Sequence, residues 1–326
     1  MKAIVQDRYG SPDMLHLEEV QRPEPGEGDV LVRVHAASVN ARDWHLMRGD
    51  PYIARLSADL GWRAPKVRTP GTDFAGRVEA VGAAVTRFRP GDEVFGEVPG
   101  AFAEYACVPG RWLAPKPANL TFEQAAAVPL AATTALIGLR DVARVHSGQR
   151  LLINGASGGV GTFAVQLAKS YGAEVTAVCR TRNVDLVRSL GAEHVVDYTR
   201  DDFTRAGHRY DVVLDLVGNR SLAGLRRALV PDGTLILSGG GVSRGGSLVG
   251  PLGLMVRGMA LSRFVRNRIV LLTVKPSQDT LATLAELAES GTITPVIDRT
   301  YPLAAAPDAI RYVETEHARA KVVITV

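Results

Sequence analysis

The first third of the chain shows the alternation of apolar and polar positions that β-strands produce. Between Asp29 and Ala36 every second residue is a valine, and these valines would share one face of a strand. Proline- and glycine-based turn signals recur nearby, at Pro23-Glu24-Pro25-Gly26, Thr69-Pro70-Gly71, Arg89-Pro90-Gly91-Asp92 and Val108-Pro109-Gly110. Short strands separated by tight turns predict a small, irregular β-barrel over residues 1 to about 120.

The middle of the chain alternates between strand and helix patterns. Thr121, with Gln124 three residues later, is typical of a capped helix start. The segment Arg150–Asn154 is apolar at its centre, as a parallel strand buried on both faces would be. The pattern further predicts helices at about 161–171 and 183–190 and strands over Glu174–Cys179, His194–Asp197, Asp211–Leu216 and Gly233–Leu237. This order is typical of an α/β protein with a doubly wound parallel sheet.

The end of the chain returns to the earlier pattern. Helices are predicted at about 277–290 and 307–314, and a closing strand covers Lys321–Val326. The simplest organisation is a barrel domain interrupted by a nucleotide-binding domain. We therefore expect a barrel domain formed by residues 1–122 and 276–326, and a nucleotide-binding domain over 123–275.

Composition narrows the class of protein. The chain has 326 residues, of which 46% are hydrophobic and 22% charged, and this suits two globular cores. A net charge of +4 without a dense Lys/Arg run gives no reason to expect a nucleic-acid partner. No apolar stretch is long enough for a membrane span. Met1–Gln6 leads into a strand-like run without a signal-peptide pattern.

The cysteines also exclude some classes. Cys107 and Cys179 are the only two in the chain, which is too few for a disulfide framework or a four-thiolate zinc site. These features together predict a cytoplasmic protein.

A glycine-rich loop follows the first strand of the predicted nucleotide-binding domain. It runs from Asn154 to Gly161, with Gly158 and Gly161 in two positions of the Gly-x-Gly-x-x-Gly pattern and Ala156 in place of the first glycine. Such glycines let the backbone approach a pyrophosphate, and the following helix offers its N-terminal N–H groups. Because a strand precedes the loop and a helix follows it, the loop predicts a dinucleotide site rather than a simple turn.

The residues after the second strand indicate which dinucleotide binds. An Asp or Glu about 20 residues beyond the loop would bind the ribose of NAD. This chain instead has Arg180 and Arg182 near that position, with no acid between Val178 and Asn183. Guanidinium groups bind a 2′-phosphate through charge-assisted hydrogen bonds, so NADPH is favoured over NADH. The alternative is that both arginines are solvated surface charges.

Several longer motifs resemble one known family. These are Ser38–Trp44 (SVNARDW), Pro70–Val78 (PGTDFAGRV), Phe88–Gly96 (FRPGDEVFG) and the pair Asp197-Tyr198. They resemble the quinone oxidoreductase branch of the medium-chain dehydrogenase/reductase superfamily over almost the whole chain. The resemblance implies a GroES-like β-barrel plus a Rossmann domain, with an active site in the cleft between them.

The same resemblance implies a zinc-free site. Zinc-dependent members carry Gly-His-Glu where this chain has Gly71-Thr72-Asp73, and Asn40-Ala41 stands where they place a first cysteine ligand. Without those ligands zinc could not be held in the family's manner, so alcohol oxidation by a Lewis-acid metal is not expected. The tail His317–Lys321 resembles the family's His-Ala-Arg-Gly-Lys, except that Ala320 replaces the glycine.

The resemblance also implies cofactor contacts. Asn40 would lie near the nicotinamide and Tyr198 near the adenosine phosphate. The remaining expected cofactor-binding residues are Thr133, Ser157, Gly158, Gly159, Val160, Arg180, Arg182, Leu216, Val217 and Gly239. Catalytic residues are less defined. His45 is a candidate proton donor, and Asn40 is a candidate for orienting the carbonyl or the nicotinamide amide. A solvent-facing or structural role for His45 is favoured because no tuning partner is visible.

The predicted reaction is hydride transfer from NADPH to a small quinone or α,β-unsaturated carbonyl compound, whose acceptor atom is already electrophilic. An enoyl-thioester reductase is an alternative, and an NADPH-binding sensor or scaffold with little catalysis is an alternative of another class. Relatives commonly dimerise through the last strand of the Rossmann sheet. We therefore expect a homodimer formed through Ile269–Thr273, an apolar edge that would otherwise be exposed.

Overall fold

The computed structural model describes residues 1–56, 60–238, 252–316 and 318–326. Within these ranges the chain forms two compact units, Met1–Thr133 with Lys275–Val326, and Thr134–Val274. The first division falls later than residue 122 because the helix at Phe122–Ala126 packs against barrel strands. That helix begins with the predicted capping box, in which Gln124 N donates to Thr121 Oγ1 over 3.2 Å.

The described strands alternate with short turns in the first unit and with helices in the second. In chain order they are β1 (Lys2–Val5), β2 (His16–Glu19), β3 (Asp29–Val39), β4 (Asp73–Val81), β5 (Glu93–Glu97), β6 (Tyr105–Pro109), β7 (Leu113–Pro115), β8 (Arg150–Asn154), β9 (Glu174–Cys179), β10 (His194–Asp197), β11 (Tyr210–Asp215), β12 (Leu229–Leu237), β13 (Arg268–Leu271), β14 (Ile297–Pro302) and β15 (Lys321–Thr325).

The described helices include several that the sequence pattern did not predict. In chain order they are α1 (Ala41–Arg48), α2 (Phe122–Ala126), α3 (Pro129–Leu136), α4 (Gly159–Ser170), α5 (Val184–Ser189), α6 (Leu222–Arg227), α7 (Leu252–Ser262), α8 (Gln278–Glu289) and α9 (Ala306–Thr315). A π-helical segment at Ile137–Ala143 continues α3, and 3₁₀ turns lie at Pro12–Met14, Tyr52–Leu56, Gly110–Trp112, Thr181–Asn183 and Leu303–Ala305.

The first unit is built around β3. Its described sheet has the order β14-β15-β3-β4-β5-β7, and β6 pairs with β3 as well. The valines of β3 that share one face, at 30, 32 and 34, lie in the core with Phe74 and Phe102, as the alternating pattern predicts. The closing strand β15 pairs with β3, with Val322 opposite Val39. The chain therefore completes its first unit only when its last strand is added.

Helix α1 overlaps the motif Ser38–Trp44, for which the sequence pattern did not predict a helix. Asp43 accepts a hydrogen bond from the backbone N–H of Asn40 over 2.8 Å, which satisfies a donor at the start of the helix. Gly49 ends the helix in the left-handed conformation, at φ 57°. The helix therefore holds Asp43 on its buried side.

The second unit contains the predicted parallel sheet, with the described order β10-β9-β8-β11-β12-β13. Its registers pair Asn154 with Val178 and with Asp215, so the carboxyl ends of β8, β9 and β11 meet at one edge. The order steps outward on both sides of β8, and the turn after β8 is therefore at the switch point where such sheets bind ligands. None of the described helices combines the length and the apolar character needed to cross a bilayer.

Candidate functional site

The turn after β8 is tight and closely packed. Gly155 has φ +90°, a region that favours glycine. A Cβ at Gly161 would lie 2.2 Å from the carbonyl oxygen of Gly155, so no other residue fits there without displacing backbone. These two glycines bring the first turn of α4 against the end of β8, as the loop motif predicts.

The amino end of α4 offers free N–H groups. Gly158 is the N-cap residue and provides no side chain, and the first intrahelical bond runs from Thr162 N to Gly158 O over 3.0 Å. Among the described residues no side chain caps this end. The N–H groups of Gly159, Val160 and Gly161 are thus available to an anion, where the helix dipole favours negative charge.

Polar side chains fix the loops on either side. Asn183 donates from Nδ2 to the Ser157 hydroxyl over 2.9 Å, which ties the glycine loop to the segment after β9. On the other side, the Asn154 amide donates to Asp215 Oδ1 over 2.8 Å. The same Asp215 oxygen accepts from the backbone N–H of Val217 and of Gly218, so it sets the path of the predicted contact segment Leu216-Val217.

The segment after β9 carries the predicted arginines. Arg180 and Arg182 are both exposed. The segment is anchored by Thr181, whose hydroxyl donates to Asp197 Oδ2 over 2.6 Å. The backbone N–H of Tyr198 donates to Cys179 O over 3.1 Å, and the Tyr198 side chain is 40% exposed.

From the sequence we considered only acids that directly follow β9, and we therefore did not identify the carboxylate of Asp197. It comes from the neighbouring strand β10, where Asp197 lies opposite Cys179 in the register. Hydrogen bonds from Thr181 and Thr199 hold its pKa below the usual range. One acid therefore lies next to the arginine segment, and its oxygens already accept hydrogen bonds from hydroxyl groups.

The predicted cofactor contacts divide between the two units. Those in the second unit follow β8, β9, β10 and β11 at the carboxyl edge of the sheet, and they are Ser157, Gly158, Gly159, Val160, Arg180, Arg182, Tyr198, Leu216 and Val217. Gly239 lies outside the described residues. Asn40, His45 and Thr133 belong to the first unit. Thr133 is buried in α3, and its hydroxyl has no partner among the described residues.

A buried polar cluster surrounds Asp73 in the first unit. Asp73 Oδ2 accepts from Ser38 Oγ over 3.2 Å, from Asn40 Nδ2 over 3.0 Å and from Lys321 Nζ over 3.4 Å. Its other oxygen accepts from the backbone N–H of Leu130 over 3.1 Å. Four donors thus converge on one buried carboxylate, as a charge removed from water requires.

Asn40 is committed at both ends of its amide. Its Nδ2 donates to Asp73, and its Oδ1 accepts from Lys321 Nζ over 2.6 Å. The side chain is 8% exposed. In this arrangement Asn40 orients the ion pair of Asp73 and Lys321.

Asp43 forms a second buried carboxyl group beside this cluster. It accepts from the Thr72 hydroxyl over 2.7 Å and from the Asn40 backbone N–H over 2.8 Å. Burial raises its pKa to about 6, and the nearby charge of Asp73 acts in the same direction. The hydroxyl that replaces the histidine of zinc-dependent relatives is therefore a hydrogen-bond donor to Asp43.

His45 is held in place by its surroundings. Its Nδ1 lies 3.2 Å from the carbonyl oxygen of Asp50, a contact that requires the proton on Nδ1. The ring stacks edge-on against Trp44, with centroids 4.2 Å apart. Burial lowers the pKa of His45, so the neutral ring is favoured.

A cavity of about 380 Å³ opens within the first unit. Its lining is largely apolar and includes Leu46, Met47, Leu60, Val67, Val98 and Trp112. Its ionisable lining residues are Arg42, Asp43, Lys66 and Glu97. In the loop 48–66, Leu60, Pro65 and Lys66 line this cavity, whereas Tyr52, Ile53, Leu56 and Trp62 are exposed.

Glu97 is the most unusual group of the cavity. It is 2% exposed, and neither of its carboxyl oxygens has a hydrogen-bond partner among the described residues. Burial raises its pKa to about 8, with the charge of Asp73 as the second cause. The cavity wall thus contains a carboxylic acid that keeps its proton at neutral pH.

Sequence reasoning missed Asp73, Glu97 and Lys321 as site residues, although a signal was present. Glu97 follows the uncharged run Val94–Gly96, and Lys321 precedes the apolar run Val322–Ile324. A charged residue next to an apolar strand core is rarely buried unless it is paired or functional. Lys321 is paired, whereas Glu97 is not.

Possible metal ligands can be searched for within the part of the chain that the structure describes. Across the described ranges, no group of three or more His, Cys, Asp or Glu side chains is arranged to hold a metal ion. Where zinc-dependent relatives place ligands, the polar cluster already contains a cation, because the ammonium of Lys321 is bound by Asn40 and Asp73. A second cation there would face an unfavourable like charge.

Two protein-family models match this chain. Residues 26–118 match the model of the alcohol dehydrogenase GroES-like domain, and residues 190–324 match a model described as zinc-binding dehydrogenase. The chain is similar to the solved quinone oxidoreductase from Coxiella burnetii, with 31% identity and a TM-score of 0.87 over 100% of this chain and 99% of that one.

Two curated relatives match over nearly the whole chain. The human mitochondrial NAD(P)H oxidoreductase RTN4IP1 is 36% identical over 100% of this chain and 89% of its own length. The chloroplastic NADPH-dependent alkenal/one oxidoreductase of Arabidopsis thaliana is 36% identical over 99% of this chain and 79% of its own length. The chain, with its GroES-like domain and Rossmann-like parallel sheet, belongs to the quinone oxidoreductase branch of the medium-chain dehydrogenase/reductase superfamily.

Proposed function

We propose that this protein is an NADPH-dependent oxidoreductase that transfers hydride to a quinone or an α,β-unsaturated carbonyl compound without zinc. The observation that carries the proposal is the uncapped amino end of α4 at the switch point of a parallel sheet, packed through Gly155 and Gly161. Bound there, NADPH would supply the hydride for the reaction.

Most of the assigned cofactor-binding residues belong to the second unit. The N–H groups of Gly159 and Val160 bind the pyrophosphate, and Gly158 leaves room for it because it has no side chain. Ser157, held by Asn183, supplies a hydroxyl next to these groups. Leu216 and Val217 border the site from β11, in the conformation that Asp215 fixes.

Preference for NADPH over NADH is assigned to Arg180 and Arg182. Both side chains are exposed, and forked guanidinium groups bind a phosphate dianion. Asp197 would repel a 2′-phosphate, but its oxygens accept from Thr181 and Thr199. Tyr198 borders the same segment and is assigned to the adenosine end. Gly239 stays a sequence prediction.

The roles of the first-unit residues follow from their bonds. We assign Asn40 to a position beside the nicotinamide. Because both ends of its amide are engaged, it orients Lys321 and Asp73 and does not bind the carbonyl group of the acceptor. The hydroxyl of Thr133, which has no partner within the described ranges, is assigned to a cofactor contact. His45 is assigned a structural role, because its Nδ1 contacts Asp50 O and it does not line the described cavity.

Zinc independence rests on the donor set. Thr72 and Asn40 present neutral oxygens that are engaged with Asp43 and with the Lys321 ammonium group, so a metal ion at this position would have no histidine or thiolate ligand and would meet a like charge. The model described as zinc-binding dehydrogenase begins at residue 190, beyond both positions. Catalysis then depends on positioning and on hydrogen-bond donors to the developing negative charge.

The acceptor class rests on the cavity and on the relatives. An apolar cavity of about 380 Å³ with a few polar groups suits a small conjugated carbonyl compound. Relatives and structural neighbours are named for alkenal/one and quinone reduction.

We further propose a cytoplasmic homodimer. β13 is an edge strand of the described parallel sheet and pairs with β12 alone among the described strands, which leaves its other side for the same strand of a second copy. Cys107 and Cys179 are free thiols, which suits a reducing compartment. Light scattering of wild type and Val270→Lys tests the dimer, since a charge on the edge should yield monomers.

The function is tested by following NADPH absorbance with a panel of quinones, enones and enoyl thioesters, each with and without a metal chelator. We expect turnover of quinones or enones that the chelator leaves unchanged. Loss of activity on chelation would contradict zinc independence. Preference for enoyl thioesters would favour an enoyl-thioester reductase, and tight NADPH binding without turnover of any acceptor would favour a sensor.

A further inference from the structure

Glu97 presents a structural problem that the fold alone does not explain. Its side chain lies in the wall of the cavity, buried, and neither oxygen is hydrogen-bonded within the described residues. Burying an ionised carboxylate without partners costs far more than burying a paired one. Buried polar groups in folded proteins are nearly always satisfied, so an unsatisfied carboxyl group at a cavity calls for a functional explanation.

Burial, together with two nearby carboxylates, favours the protonated form of Glu97. Asp73 lies directly opposite on the neighbouring strand, and its charge and that of Asp43 both raise the pKa of Glu97. Arg42 and Lys321 lower it, but the desolvation of Glu97 outweighs them, and its pKa is raised to about 8. Lys321 is bonded to Asp73 and Asn40. The pKa of Glu97 thus lies close to neutral pH, where proton transfer in either direction is efficient.

We infer that Glu97 is the proton donor of the reduction, delivering its carboxyl proton into the cavity to the acceptor that has just received hydride. The inference rests on the proposed function and names a group that supplies the second hydrogen of the reaction. It assigns Glu97 as a catalytic residue.

The step balances for a conjugated carbonyl acceptor. Its β-carbon gains hydride from NADPH, the C=C bond is lost, and an enolate remains. The O–H bond of Glu97 then breaks, the proton forms a new C–H bond at the α-carbon, and Glu97 becomes a carboxylate that takes its next proton from water. For a quinone the proton goes to the oxygen instead. In both cases one hydride and one proton are consumed for each NADPH.

The geometry permits this transfer. Because neither oxygen of Glu97 is hydrogen-bonded, turning the carboxyl group toward the cavity breaks no bond within the described residues. Arg42 lines the same cavity, and its charge stabilises the carboxylate left after the proton has gone.

The neighbouring acids are less suited to the task. Asp43 accepts from Thr72 and from the Asn40 backbone. Asp73 accepts from four donors. Each would have to break hydrogen bonds that stabilise its charged form before it could carry a proton.

The test compares Glu97→Gln and Glu97→Asp with wild type and with Glu93→Gln, a control on the same strand outside the cavity. Glutamine keeps the shape of a neutral acid but cannot give up a proton. We expect Glu97→Gln to bind NADPH as wild type does, to lose about 100-fold or more in kcat, and to lose the fall in kcat above about pH 8. Glu97→Asp should retain that alkaline fall at a lower kcat.

The outcomes separate this inference from the proposed function. A Glu97→Gln variant with kcat within about threefold of wild type and the same alkaline fall would overturn the inference while leaving the function intact. So would an equal loss of kcat at every pH in both Glu97 variants, since a purely structural role predicts that result. A wild-type protein that reduces no acceptor would overturn the proposed function itself.

Discussion

Asp73 and Lys321 are separated by 248 positions in the sequence, yet Lys321 Nζ lies 3.4 Å from Asp73 Oδ2. Both side chains are almost completely buried. The contact forms because β3 lies between them, with Ser38 opposite Asp73 on one side and Val39 opposite Val322 on the other. The ion pair therefore links the closing strand of the chain to the centre of its first unit.

Breaking this pair should destabilise the protein strongly. Lys321→Met leaves the Asp73 carboxylate buried without its cation, and we expect a loss of about 3–5 kcal/mol in the free energy of unfolding. Urea denaturation measures it. The matched control is Arg266→Met, which breaks an exposed pair with Asp232 and should cost no more than about 1 kcal/mol. Equal losses in the two variants would show that the buried pair does not stabilise the fold.

Ala320, next to this lysine, should be a point of backbone strain. It adopts φ +62°, a left-handed conformation that costs a residue with a Cβ roughly 1 kcal/mol. Since the family's motif has glycine there, Ala320→Gly is expected to raise the melting temperature, whereas Ala318→Gly two residues earlier should not. A lower melting temperature for Ala320→Gly would mean that the strain is absent.

The two exposed arginines should decide cofactor preference. We expect Arg180→Gln and Arg182→Gln to raise the Kd for NADPH by about 10-fold or more while leaving NADH nearly unchanged, because only NADPH carries the 2′-phosphate. Arg188→Gln, an exposed arginine of α5, is the control. Titration calorimetry with both cofactors gives the values. Parallel losses for NADPH and NADH would show that these arginines do not recognise the 2′-phosphate.

Glu97 should also leave a signature in stability. Its folded-state pKa is raised from 4.5 to about 8, so the folded protein binds more protons than the unfolded chain between these values. The stability of wild type should therefore fall as pH rises through this window, by at most about 1.4 kcal/mol per pH unit. Glu97→Gln has no proton to lose in this window, so its free energy of unfolding should rise relative to that of wild type between pH 5 and 8. The free energy of unfolding of Glu93→Gln should not. Denaturation across this range would contradict the account if the difference between Glu97→Gln and wild type stayed constant.

The sequence predicted the elements that carry strong periodic or turn signals. β8, β9 and β10 have the predicted bounds, and α4 begins two residues before the predicted position because Gly158 serves as its N-cap. The glycine loop was predictable because close packing and a positive φ require glycine at specific spacings.

The polar cluster could not be predicted in the same way. Asp73, Glu97 and Lys321 meet through pairings between β3, β4, β5 and β15, and pairing partners distant in sequence leave no local pattern. Helix α1 was missed because its start depends on the hydrogen bond from Asn40 N to the Asp43 side chain, within a short segment that has no long apolar period. Asp197 was missed because it reaches the arginine segment from the adjacent strand.

The most direct test of the account is the fate of the hydride. With NADPH that carries deuterium in both C4 positions and an enone acceptor, in the presence of a metal chelator, mass spectrometry and NMR of the product locate the label. We expect one deuterium at the β-carbon and an unlabelled hydrogen at the α-carbon, which comes from solvent through Glu97. Oxidation of NADPH without deuterium in the product, or a requirement for added metal, would contradict it.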